Sequence, residues 1–184
     1  MTPHFSPEPG SPAAQPFTPS PHRVPDLRGA PILLVGPGAM GSAIAERAAL
    51  AGHPVLWRDG RDGIAAAAKA RLAHRLAAQV GRGERDAGAV AEALARIEPI
   101  TDLGRASGVR LVIEAVVEHA EIKRGLLRNL EDWVGADCVF ATTTATLSIS
   151  MLASGLRQPP RLAGLHFGLP ALAEASGSTG FPPT

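Results

Sequence analysis

The chain has 184 residues, 45% of them hydrophobic, and a formal net charge of +1. That length accommodates one domain with a real core and little more. The balanced charge argues against nucleic acid or an anionic membrane as partner, no apolar run is long enough to span a bilayer, and the N-terminal residues lack the pattern of a secretory signal, so a cytoplasmic protein is expected.

The N-terminal residues hold eight of the seventeen prolines within 1–25, among Ser, Thr and Gly. Such a composition buries too little apolar surface to fold, and residues 1–29 are expected to be a disordered tail. Ile32 to Val35 then forms a short apolar run of buried-strand type, ending in the G-x-G-x-x-G spacing of Gly36, Gly38 and Gly41. Gly36 permits the tight turn, Gly38 leaves no Cβ between backbone and a pyrophosphate, and Gly41 lets the next helix approach the sheet. The first helical residues, Ala39 and Met40, belong to the same expected dinucleotide contact, at a helix N-terminus that favours negative charge. Met40, Ile44, Ala48 and Ala51 are the expected buried stripe of that helix.

A second strand, Val55 to Arg58, delivers Asp59, 23 positions after Gly36, where a ribose-binding acid belongs. A carboxylate there accepts from both ribose hydroxyls and repels a 2′-phosphate, which points to NAD. Arg58 and Arg61 keep NADP as the alternative. Ile64, Ala68, Leu72, Leu76 and Val80 recur every fourth position, Gly81 and Gly83 interrupt, and Ala87, Val90, Leu94 and Ile97 resume, which predicts a helical hairpin after the second strand. Lys69, Arg71, Arg75, Arg82 and Arg85 are expected on its solvated surface.

Ile97 to Ile100 reads as the third strand and Leu111 to Ala115 as the fourth, apolar except for Glu114. Ile122, Leu126, Leu127, Leu130 and Trp133 predict a helix with Lys123, Arg124 and Arg128 turned outward. Val139 to Thr142 makes the fifth strand, followed by a Thr- and Ser-rich turn, a short helix around Ile149 to Ala153, and a sixth strand, Leu162 to Phe167. The single cysteine, Cys138, reads as a buried thiol, and no metal site is expected. Residues 171–184 resemble the N-terminal tail in composition, leaving 30–170 as the ordered domain. Alternating strands and helices predict an α/β fold, a Rossmann-type doubly wound parallel sheet with ligands bound off the carboxyl ends of its strands.

Five stretches together resemble the nicotinamide-binding domain of 3-hydroxyacyl-CoA dehydrogenases: GPGAMGSAIA (36–45), AGH followed by a strand and Asp59, LVIEAVVE (111–118) with Lys123 five residues on, ATTTATLSIS (141–150) and GLHFGLP (164–170). The resemblance implies that Gly36, Gly38, Gly41, Asp59, Glu118 and Lys123 contact NAD, that His166 is the catalytic histidine, and that the substrate is an acyl-CoA. An imidazole suits that role, because oxidising a secondary alcohol needs a base for the hydroxyl proton. The chain departs from the family pattern at three polar positions. Ser178 stands where a glutamate orients the histidine, Ala145 where a serine bonds the substrate, and Leu169 where an asparagine holds the reacting carbonyl. The family's helical second domain, which closes the cleft and makes the dimer, is not in this sequence. The expectation is therefore a dehydrogenase domain incomplete or weakly active alone, with a separate helical domain as partner; the alternatives are a non-catalytic NAD-binding module or a truncated copy.

Overall fold

The computed structural model describes residues 26–167, so most of both expected tails lies outside the described residues. The elements follow one another as β1 (Ile32–Val35), α1 (Ala39–Leu50), β2 (Val55–Arg58), α2 (Ile64–Gly81), α3 (Ala87–Arg96), β3 (Ile97–Pro99), β4 (Leu111–Glu114), α4 (Ala120–Leu130), β5 (Val139–Thr142), α5 (Ile149–Ala153) and β6 (Leu162–Gly164). Single turns of 3-10 helix, Leu103–Ala106 and Pro159–Arg161, were not foreseen. All strand pairs are parallel, in the order β3-β2-β1-β4-β5-β6. The Rossmann-type sheet is thus present, and its strand order reverses between β1 and β4, where such sheets open a crevice.

The period of two along each strand divides the core into two layers. Ile32, Leu34, Val55, Trp57, Ile97 and Ile113 meet Ile44, Ala49, Leu72, Leu76 and Val90 of the first three helices. On the other face Leu33, Val35, Val112 and Phe140 meet Leu127 and Leu130 of α4 and Leu152 of α5. Burying a side chain of this size contributes about 1.5–3 kcal/mol against leaving it in water. The helical hairpin α2–α3 packs on α1 and the β3 edge, and Asp86 caps α3 by accepting from the Ala89 N–H at 2.7 Å.

Several sequence expectations shift. The sixth strand stops at Gly164 rather than Phe167, because its partner β5 ends at Thr142; the Leu165 N–H makes the last cross-strand bond, to the Thr142 carbonyl at 2.9 Å. Helix α1 is covered by the sheet and by the hairpin, so Ala43, Ala45, Glu46 and Ala49 are buried beside Ile44, while Ala51 is exposed. Helix α4 turns Lys123, Leu127 and Leu130 inward, leaves Ile122 exposed, and ends before the exposed Trp133. The hairpin cations are not simply solvated either. Arg75 and Arg85 reach the buried Glu46 carboxylate at 2.7 and 3.2 Å, and the Lys69 ammonium donates to the Ile97 carbonyl at 2.6 Å; Arg71 is exposed as expected.

Candidate functional site: the carboxyl edge of the sheet

The first turn is closed by contacts that only glycine permits. Gly36 has φ +106°, and a Cβ on it would lie 2.4 Å from the Ala115 carbonyl oxygen. A Cβ on Gly41 would stand 1.8 Å from the Gly36 oxygen. The same oxygen accepts from the buried Trp57 indole at 3.4 Å, and the Gly36 N–H donates to the Arg58 carbonyl at 3.0 Å, so β2 supports the turn from below. Gly38 differs. It is exposed, has open space where a Cβ would point, and forms the N-cap of α1 with no side chain capping the helix and no acid in the first turn. Ala39, exposed, and Met40, half-buried, follow it. An uncapped helix N-terminus beside bare backbone, at the sheet's switch point, is the cradle a pyrophosphate requires.

Asp59 follows directly on β2, at the carboxyl end of the strand beside the switch point. Its Oδ1 accepts from the Arg61 N–H at 3.0 Å, the Arg61 guanidinium stands 3.7 Å away, and the Arg58 guanidinium turns back to the Asp59 carbonyl at 2.5 Å. A carboxylate held by one backbone donor keeps lone pairs for ribose hydroxyls.

On the other side of the switch point, a charge network absent from the sequence reading joins β4, β5 and α4. The Glu114 carboxylate is fully buried and accepts from the Lys123 ammonium at 2.7 and 3.0 Å, from the Val116 N–H at 2.7 Å and from the Thr142 hydroxyl at 2.7 Å. Lys123, expected to point outward, is only 1% exposed, and it also lies 3.3 Å from Glu118 Oε2 and donates to the Val116 carbonyl at 3.3 Å. Its ammonium is thus held between Glu114 and Glu118 rather than presented to solvent.

Glu118 holds the turn after β5. Its Oε1 accepts from the Thr144 hydroxyl at 2.5 Å, from the N–H groups of Ala145 and Thr146 at 3.0 and 3.1 Å, and from the Thr146 hydroxyl at 3.1 Å. Partial burial pushes this carboxyl up, but the four donors outweigh it and lower it to about 2. The hydroxyls on both sides of Ala145, Thr144 and Thr146, are thus committed to Glu118.

His166 follows β6, exposed between the half-buried Leu165 and Phe167, which pack against the layer containing Met40 and Ala141. No described side chain hydrogen-bonds its ring. Cys138 lies just before β5, buried, and burial raises its thiol to about 11, which removes it as a nucleophile. Among the described residues no group of His, Cys, Asp and Glu is arranged to hold a metal ion, and no helix is long and apolar enough to cross a membrane. Of the residues sequence reasoning missed, Glu114 alone carried a signal, as the one acid in an apolar strand; Thr142, Thr144 and Trp57 carried none.

Residues 31–173 match the family model described as the 3-hydroxyacyl-CoA dehydrogenase NAD-binding domain. The chain is similar to the fatty acid oxidation complex subunit alpha of Pseudomonas syringae, 36% identical over 142 residues, which are 77% of this chain and 19% of that one. The same subunit of Pseudomonas aeruginosa is 37% identical over 134 residues, 73% of this chain and 19% of its own length. Among solved structures, 3-hydroxybutyryl-CoA dehydrogenase from Escherichia coli superposes with a TM-score of 0.73 at 35% identity, over 77% of this chain and 30% of that chain. An (S)-3-hydroxybutyryl-CoA dehydrogenase from Ralstonia eutropha gives 0.72 at 30% identity, over 77% and 50%. The chain thus spans about a fifth of the curated relatives it matches. Sheet order, glycine turn and sequence agree, and the chain belongs to the 3-hydroxyacyl-CoA dehydrogenase family, in which this stretch is the domain that binds NAD.

Proposed function

We propose that this chain is the NAD-binding half of a dehydrogenase that interconverts 3-hydroxyacyl-CoA and 3-oxoacyl-CoA in cytoplasmic fatty acid metabolism. The observation that carries the reading is the glycine turn: Gly36 and Gly41 in contacts no side chain tolerates, beside an open, uncapped Gly38. In this reading Gly36, Gly38, Ala39, Met40 and Gly41 cradle the pyrophosphate, Asp59 takes the adenosine ribose, and Glu118, backed by Lys123, faces the nicotinamide half. NAD supplies the hydride acceptor. His166 accepts the hydroxyl proton of the alcohol and returns it in the reverse direction, from an exposed position beyond β6.

The acyl-CoA would be enclosed by a helical domain contributed by further residues or by another chain, as the larger size of the relatives suggests. Without that closure, and with Ala145 in place of the family's serine, turnover by this chain alone is weak or absent. Loss of one transition-state hydrogen-bond donor costs on the order of a hundredfold in rate. Ala145, Leu169 and Ser178 favour a second reading, a non-catalytic NAD-binding module.

Calorimetric titration with NAD tests the core of the proposal: saturable binding is expected, with Asp59→Ala weakening NAD and narrowing its advantage over NADP. No binding at millimolar NAD overturns it. Following NADH absorbance with 3-hydroxybutyryl-CoA separates the two readings. Turnover that disappears in His166→Ala with NAD affinity intact supports the enzyme, and no turnover even after a relative's helical domain is joined to the chain supports the module.

A further inference from the structure

The proposed cofactor pose divides NAD across the switch point. Asp59 and its ribose lie at β2, and the nicotinamide half passes to the side of β4 and β5, where Glu118 stands. On that side the charges do not cancel. Two carboxylates, Glu114 and Glu118, share one ammonium, and Lys123 is closer to Glu114, at 2.7 and 3.0 Å, than to Glu118, at 3.3 Å. Glu114 is wholly buried, whereas the Glu118 side chain is 38% exposed. The unneutralised negative charge of the network therefore resides at its open end. The next charges on α4 offset each other, since Arg124 pairs with Glu121 at 3.4 Å.

We propose that Glu118 is a specificity-determining residue for the redox state of the dinucleotide: its charge favours the cationic ring of NAD⁺ over the neutral ring of NADH. This rests on the cofactor placement above. The four donors on Oε1 keep the carboxylate ionised at neutral pH, where the dinucleotides are titrated, so the preference is a fixed feature of the site there. The same bonds define what must be separated experimentally, because losing them would also loosen the Thr144–Thr146 turn.

Glu118→Gln keeps an oxygen acceptor and removes the charge; Glu118→Ala removes both. Dissociation constants of NAD⁺ and NADH are measured on the full chain for each. The ratio of the NAD⁺ to the NADH constant rises about tenfold in Glu118→Gln, as expected for unit charges about 6 Å apart under intermediate screening. Equal changes in both constants, or none, overturn the proposal and leave Glu118 a residue that only holds the turn. An unmodified chain that binds neither dinucleotide overturns the cofactor reading itself, a distinct result. Should the glutamine variant fail to fold, the unmodified chain answers alone. Raising salt from about 0.1 M to about 1 M shortens the Debye length from about 10 Å to about 3 Å and weakens NAD⁺ relative to NADH, the pyrophosphate being common to both. A ratio insensitive to salt then overturns the proposal.

Discussion

Replacing Lys123 by methionine tests whether the buried network sustains the carboxyl edge of the sheet. Methionine fills most of the lysine volume, so the packing loss stays below about 1.5 kcal/mol. What changes is Glu114, left fully buried with the Val116 N–H and the Thr142 hydroxyl as donors but no contacting cation. Removing one partner of such a pair costs about 3–5 kcal/mol. Set against a typical total stability of about 5–15 kcal/mol, that is a large share. In a chain of this size each kcal/mol lowers the melting temperature by about 2–4 °C, so a fall of about 6–20 °C is expected. Urea unfolding followed by tryptophan emission reads this directly, because Trp57 is fully buried and moves to water, while Trp133 is already 42% exposed. Adding Glu114→Gln to Lys123→Met removes the stranded charge and restores most of the loss. A single variant that loses less than about 1 kcal/mol, or a double variant no more stable than the single, refutes the electrostatic account of this network.

Two glycines separate fold from ligand. Gly41→Ala meets the Gly36 oxygen and is expected to lose about 1–3 kcal/mol of stability together with NAD binding, whereas Gly38→Ala enters open space, changes stability by about 1 kcal/mol or less, and still weakens NAD in calorimetry. Glu118 has a folded value of about 2 against an ordinary 4.5, so its contribution to stability is present above pH 4.5 and is lost as pH falls toward 2; the gap in urea midpoint between the unmodified chain and Glu118→Gln narrows over that window. Cys138 shifts the other way, from 9.0 to about 11, so its contribution holds below pH 9 and is lost as pH rises through 11; at neutral pH iodoacetamide labels it only at the rate of unfolding, and rapid labelling of the folded chain contradicts the buried placement.

Local patterns sufficed for the parts of this protein whose physics is local. Strands β1, β2, β4 and β5 are runs of three or four apolar residues, the hairpin α2–α3 is a four-residue recurrence broken by glycines, and the dinucleotide turn is a spacing of three glycines followed by Asp59. Alternation of strand and helix then leaves a parallel sheet as the solution, and the observed order agrees. Tertiary structure decided the fate of the charges. A lysine on a helix reads as solvated because burying an ammonium is costly, and nothing near Lys123 in sequence announces that Glu114, nine residues earlier, and Thr142, 28 residues beyond Glu114, complete its surroundings. Glu46 is likewise buried only because Arg75 and Arg85, 29 and 39 residues away, arrive on the hairpin. Periodicity records which side chains avoid water; which charges find a partner inside depends on contacts that exist only once the chain has closed.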